Sequence, residues 1–271
     1  MAIIALTTDF SGSDYFVGAM KGVILSIAAD VTITDVTHEV PPQDVAYAAF
    51  VLSQVWAYFP RGTIHVVVVD PGVGSNRRIL LGEYDGRWIV APDNGLITWI
   101  HHDAAARSLR VVDNQRYYLV NPSISFQGRD VMAPVAAHLA AGVSPEVFGP
   151  STDDVCLLEV PRRAKCEGGV FHGEVIHVDR FGNLVTNIHR DQLAERAREP
   201  GGLEVFVKDQ RIGSLKKTFC DVAVGETVVI IGGAGFVEVC VRDRSAAERF
   251  APLFNVVVTA RSCDGQRPVE K

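Results

Sequence analysis

The first seventy residues alternate between short β-branched apolar runs and longer stretches with apolar residues at helical spacing. Residues 3–7 form an apolar run that ends at Thr8-Asp9 and a Gly/Ser stretch, which predicts a buried strand opening into a loop at its carboxyl end. Residues 15–29 predict a helix, 32–36 a strand and 45–58 a second helix. Residues 63–69 are β-branched except at His65 and stop at Asp70-Pro71-Gly72, a third strand. Further on, 87–91 reads as a strand, 95–101 as a short helix ending near His101-His102, and 130–141 as a small-residue helix ending at Gly142. Strands alternating with helices imply a mostly parallel sheet covered on both faces, with ligands gathering at the carboxyl ends of its strands. Asp9 and Asp70 fall on that rim.

From about Cys166 the texture changes. Apolar runs at 173–178, 203–207, 227–231 and 236–241 are separated by Gly-rich turns, which predicts a small β domain, sandwich or barrel. The expected organisation is an N-terminal α/β domain over 1–160 and a smaller, barrel-like β domain over 166–262. The stretch 150–165, with Pro161 and several charges, serves as the connector. The polar tail 261–271 is expected to fray, and no internal repeat is visible.

Composition narrows the function classes. With 271 residues, 48% apolar and 21% charged, the chain is an ordinary globular protein. A net charge of −6 opposes binding to nucleic acid. Five cysteines (Cys156, Cys166, Cys220, Cys240 and Cys263) are an odd number without a C-x-x-C pair, the pattern of reduced thiols in a cytoplasmic protein. The N-terminus lacks a basic leader and no apolar run reaches the ~20 residues of a membrane span, so neither export nor a membrane anchor is expected.

Three aspartates stand beside glycines at strand ends: Asp9, Asp70 and Asp179. A carboxylate there accepts two hydrogen bonds from a ribose diol or holds a water, and equally serves as a turn or helix cap. The loop 70–78 lacks the Gly-Lys-Ser/Thr ending of a phosphate-binding loop, and its carboxylate repels phosphate. Asp70 and Arg77, seven apart across that loop, could instead pair to position a small polar nucleophile, or form a surface salt bridge. In Phe126-Gln127-Gly128-Arg129-Asp130, Asp130 suits a helix N-terminus with Arg129 as its partner. The histidines show no H-x-x-x-H spacing, so no metal is expected; a G-x-S-x-G elbow and a methyltransferase G-x-G-x-G loop after the first strand are also missing.

Six ordered motifs resemble one family: T-D-F at 8–10, D-V-T-H-E-V-P-P-Q-D at 35–44, D-P-G-V-G-S-N-R-R at 70–78, A-P-D-N-G-L at 91–96, F-Q-G-R-D at 126–130 and F-G-N-L-V-T-N-I at 181–188. They are similar to the S-adenosylmethionine hydroxide adenosyltransferases, hydrolases related to the fluorinating and chlorinating enzymes. The resemblance implies hydrolysis of S-adenosyl-L-methionine to adenosine and methionine without a cofactor. It also implies a homotrimer whose sites combine one subunit's N-domain with its neighbour's C-domain. Asp70, Arg77 and Gln127 take the water-holding positions, where relatives carry His in place of Gln127, and the halogenating enzymes have Tyr-Pro for Asp70-Pro71. Asp9 matches the ribose-diol ligand. Asp179, Phe181 and Asn183 match positions holding the methionine moiety and adenine, Glu238 and Val241 lie on the adenine-facing strand, and Asp14 and Gly233 complete the substrate-binding set. Two other readings remain: an adenosine- or S-adenosylmethionine-binding protein without catalysis, motivated by Gln127, and a halide-dependent adenosyl transferase.

Overall fold

The computed structural model describes residues 1–160, 162–193, 203–252 and 257–262. The chain divides into two units, Met1–Glu159 and Val160–Lys271.

In the first unit β1 (Ile3–Thr8), β2 (Thr32–Thr37), β3 (Ile64–Val68), β4 (Ile79–Tyr84), β5 (Arg87–Pro92) and β6 (Ala106–Val111) form one sheet in the order β2-β1-β3-β5-β4-β6. Its helices are α1 (Phe16–Ile27), α2 (Val45–Trp56), α3 (Thr98–Asp103) and α4 (Ala133–Ala140). β2, β1, β3 and β5 run parallel. The two-residue period of β3 explains why it is apolar throughout. Ile64, Val66 and Val68 pack with Met20, Ile24 and Val135 on one face, while Val67 packs with Ala48, Leu52 and Trp56 on the other. Asp44 caps α2, its carboxylate accepting the Tyr47 N–H at 2.9 Å.

Two strands of this unit, β4 and β6, escape the helical and strand runs read from the sequence. β4 is antiparallel to both β5 and β6. It joins β5 through Asp85-Gly86, both at positive φ (48° and 73°), the backbone of a tight hairpin turn. The expected helix over 130–141 is also corrected: Gly128–Met132 forms a wide π turn, and the α-helix begins at Ala133. Pro134 has no N–H to offer the carbonyl of Asp130, which accepts instead from Leu119 N–H at 2.9 Å.

The connector stretch is tied to the first unit along part of its length. Thr152 N–H donates to Leu109 O (2.9 Å), Cys156 N–H to Asp93 (2.8 Å) and Leu158 N–H to Thr98 Oγ1 (2.8 Å). Pro161 and Cys263 lie outside the described residues.

In the second unit β7 (Lys165–Glu167), β8 (Val170–Val178), β9 (Leu184–His189), β10 (Leu203–Val207), β11 (Gln210–Ser214), β12 (Thr227–Ile231), β13 (Phe236–Val241) and β14 (Val257–Ser262) are connected in the order β11-β10-β14-β8-β9-β13-β12, with β7 on β8. An isolated bridge between Leu215 and Val229 joins the two ends, so the antiparallel sheet curls nearly into a barrel around Leu184, Ile188, Val205, Val237, Val239 and Val258. The tail expected to fray begins inside β14, whose backbone pairs Arg261 with Glu204; residues 263–271 lie outside the described residues. Among the described residues no helix is long and apolar enough to cross a membrane.

Candidate active site

The register of β1 on β3 pairs Thr8 with Val68, so the chain leaves both parallel strands at the same level and sets Asp9 and Asp70 on one rim. Both line a cavity of about 150 Å³ together with Gln43, Ser125, Phe126 and Gln127. Arg77 returns across the glycine loop to Asp70: its Nε lies 2.9 Å from each carboxylate oxygen, and its Nη2 also donates to Oδ2. The same Nη2 donates to Gln127 Oε1. The Asp70 and Arg77 side chains are only 5% and 10% exposed, which sets this pair apart from a surface salt bridge.

That arrangement fixes the chemistry each group can offer. With Oε1 accepting from Arg77, Gln127 has its NH2 left as donor, while the Asp70 oxygens remain acceptors. Such a set of groups can take a water that donates to Asp70 and accepts from Gln127. Asp9 is positioned separately: its Oδ2 accepts the Gln43 N–H at 2.9 Å, and Gln43 holds the left-handed backbone conformation (φ 66°). Thr8 Oγ1 and His38 Nδ1 lie 2.9 Å apart behind it. An aromatic wall of Phe10, Phe16 and Phe126 stands beside the cavity, with ring centroids 5.1 to 5.9 Å apart. Arg129 pairs with buried Asp130 (Nε–Oδ1 2.5 Å) and lies over the Phe126 ring, consistent with their expected structural role.

In the second unit Asp179 follows β8 and organises the turn into β9. Its Oδ1 accepts Phe181 N–H (2.9 Å) and Asn183 N–H (2.8 Å), and its Oδ2 accepts from Asn183 Nδ2 (2.8 Å). The turn leaves Asn183 6% exposed and Phe181 78% exposed. Phe181, Asn183 and Val241 line an open cleft of about 740 Å³ with Phe219, Asp243 and Arg244. Glu238 lies on β13, and burial first, then the Asp179 charge, pushes its carboxyl above the usual range. Its carboxylate occupies the space a Cβ on Gly232 would need, so a side chain there would displace the Glu238 carboxylate.

The structure thus gathers Asp9, Asp70, Arg77 and Gln127 in one unit, and Asp179, Phe181, Asn183, Glu238 and Val241 in the other. Asp14 is exposed outside the cavity lining and accepts the adjacent Tyr15 N–H at 2.7 Å; Gly233 is exposed in the β12–β13 turn. Reading the sequence missed Gln43, Ser125, Phe219, Asp243 and Arg244 as lining residues. Gln43 and Ser125 lie within or beside the family-like motifs, whereas Asp243 and Arg244 carry only the ordinary signature of a polar turn and Phe219 is a lone aromatic outside any motif. Among the described residues no group of three His, Cys, Asp or Glu side chains could hold a metal ion.

Comparison with known proteins gives this geometry a context. The SAM hydroxide adenosyltransferase N-terminal domain model matches residues 4–149 and the corresponding C-terminal domain model matches 173–252. An (R)-S-adenosyl-L-methionine hydrolase of Thermus thermophilus is 37% identical over 92% of this chain and 95% of its own. A fluorinase of an Actinoplanes species is 31% identical over 70% of this chain and 73% of its own. The crystal structure of an uncharacterized conserved protein from Thermotoga maritima superposes with a TM-score of 0.87 at 32% identity, covering 96% of this chain and all of that one.

Proposed function

The chain belongs to the SAM hydroxide adenosyltransferase family, and from that premise we infer that it is an S-adenosyl-L-methionine hydrolase forming adenosine and L-methionine. The observation carrying this reading is the buried Asp70–Arg77–Gln127 constellation sharing a cavity with Asp9.

The sulfonium of S-adenosylmethionine is a cationic leaving group, so displacement needs chiefly a water aligned opposite sulfur and shielded from bulk solvent. Water oxygen forms the new bond to the ribose 5′-carbon, and the carbon–sulfur bond breaks with its electron pair going to sulfur. Methionine departs as a neutral thioether and the water's proton is released by way of Asp70. Gln127 NH2 and the Asp70 carboxylate aim the water. Asp9, held by the Gln43 N–H, presents its other oxygen to the ribose hydroxyls. The Asp179–Asn183 turn with Phe181, Glu238 and Val241 binds the rest of the substrate, with Asp14 and Gly233 at its margins.

Assembly into a homotrimer, in which one copy's first unit works with a neighbour's second unit, completes the proposal. The exposed Phe181 ring and the openness of its cleft support it, since an aromatic face left to water is a poor binding surface on its own. The anionic Asp70 at the nucleophile position disfavours halide as the attacking group. Chromatography of the purified protein with S-adenosylmethionine in chloride-free buffer tests the reading. Adenosine and methionine in equal amounts, lost in Asp70→Asn, support it; ligand binding with no product favours a protein that senses the nucleoside without cleaving it.

A further inference from the structure

The second unit carries another cleft that the hydrolase reading does not use. It has a volume of about 300 Å³ and is lined by Arg163, Lys165, His172, Glu174, Asn187 and Val257. It lies along the first half of β8, whereas Asp179 follows the end of that strand. The five residues from Glu174 to Asp179 span roughly 16 Å of extended chain, so this wall is separate from the Asp179 turn.

Strand register explains how the cations collect there. Lys165 on β7 pairs with His172 on β8, and Val257 on β14 pairs with Glu174. Residues two apart on a strand share a face, so His172 and Glu174 project together. Arg163 stands two residues before Lys165. Among the described residues, none of the Arg163, Lys165 and His172 side chains has a hydrogen bond or an ion pair, although Glu174 lines the same cleft. Arg163, Lys165 and His172 are exposed, so their polar ends stay open to a ligand in the cleft they line. Burial first, and the Arg163 charge second, hold the His189 pKa below its ordinary value. The floor is rigid and polar. Asn187 is 2% exposed and its Oδ1 accepts the Glu174 N–H at 2.9 Å. A side chain at Gly173 would collide with that amide and with Ile188 at 2.6 Å.

We propose that this cleft binds a small phosphorylated polyol, with Arg163, Lys165 and His172 on the phosphate and Glu174 on a neighbouring hydroxyl. A guanidinium fork and an ammonium suit a phosphate dianion. Glu174 repels a bare anion, but it accepts from a hydroxyl a few ångströms further along the ligand. The volume exceeds what inorganic phosphate fills, and Val257 supplies an apolar side to the cleft. The chain's net charge of −6 disfavours a polyanion such as nucleic acid at the same place.

The test is calorimetric titration of the intact protein with ribose 5-phosphate, beside ribose, inorganic phosphate and citrate, at constant ionic strength. Saturable binding of one ribose 5-phosphate per chain is expected, at least tenfold tighter than ribose or inorganic phosphate. The double variant Arg163→Gln/Lys165→Gln should lose that binding by at least tenfold and keep the parental rate of S-adenosylmethionine hydrolysis. Asp9→Ala should leave the binding unchanged, which separates this cleft from the ribose position of the hydrolase site and keeps its failure distinct from that of the hydrolase reading. No saturable binding, equal binding by the double variant, or citrate competing as well as the sugar phosphate would each overturn the proposal.

Discussion

Asp70 and Asp179 each follow a β-strand and each accept three or more hydrogen bonds, but from different donors. Asp70 is held by the Arg77 guanidinium, itself tied to Gln127, in a cavity of about 150 Å³. Asp179 is held by backbone amides and Asn183 beside an open cleft of about 740 Å³ with a bare aromatic ring. Buried ion pairing in a small cavity fixes the direction of donors and acceptors toward a single atom, as positioning a nucleophile requires. Amide capping instead shapes a turn, and that turn displays Phe181 and Asn183 as a binding surface. The first arrangement suits the chemical role proposed for Asp70, and the second suits the recognition role proposed for the Asp179 turn.

Loss of Asp70 should have the largest effect. Asp70→Asn should lower kcat by roughly 10²–10⁴-fold with little change in KM, read by adenosine formation. Asp70→Ala should in addition cost on the order of 3–5 kcal/mol of stability, because it leaves Arg77 buried without its partner; denaturant titration reads that loss.

Acid sharpens the contrast from the side of stability. His65 is fully buried between Trp56 and Phe59, with ring centroids 4.7 and 4.8 Å away, and neither ring nitrogen has a partner among the described residues. Burial, with the Arg87 charge second, pushes its pKa down to about 4. Between its ordinary value near 6.5 and about 4, the unfolded chain binds a proton that the folded chain refuses. Stability is therefore undiminished above pH 6.5 and falls as pH drops toward 4, by up to roughly 3 kcal/mol. Denaturant midpoints at pH 7 and pH 4.5 should show this loss, and His65→Phe should flatten it.

Smaller effects separate binding from chemistry. Asp9→Ala removes a charged acceptor from the ribose, worth about 1.5–3 kcal/mol, so kcat/KM should fall roughly ten- to hundredfold. Phe181→Ala should raise KM by about tenfold with kcat nearly intact, in line with about 0.5–1.5 kcal/mol for a ring contact beyond its area. Because Phe181 is exposed, the melting temperature should not move. The smallest change is expected from Gln127→His. The imidazole titrates near pH 6.5 and should add an acid limb to the rate profile that the amide, which does not ionise, lacks.

How much of this the sequence discloses depends on the range of the interactions. Asp9 and Asp70 were legible because apolar runs end sharply at each, and parallel strands align their ends. The β4–β5 hairpin has its signal in the Asp85-Gly86 dipeptide between two apolar runs, a signal weaker than the helical patterns on either side. β6 hides because Ala106–Val111 (ARSLRV) has two arginines and a serine among three apolar residues with no strict two-residue alternation. The contact of Arg77 with Gln127 spans fifty positions, so residue spacing did not reveal it and only the family resemblance placed the two together. The left-handed backbone at Gln43 that delivers an N–H to Asp9 has no signature, since the residue is neither Gly nor Asn. The π turn at Gly128–Met132 has one cause the sequence shows, Pro134, and one it does not, the Leu119 N–H that takes the Asp130 carbonyl from well before the helix.

Attack of water on the 5′-carbon under the direction of Asp70 is the central step proposed. Running the reaction in ¹⁸O-water without chloride and examining the adenosine by mass spectrometry tests this directly. One ¹⁸O in the 5′-hydroxyl of each adenosine, with the yield collapsing in Asp70→Asn, is the predicted result. Adenosine lacking the label, a 5′-halogenated nucleoside that appears only when halide is supplied, or undiminished labelling in Asp70→Asn would contradict it.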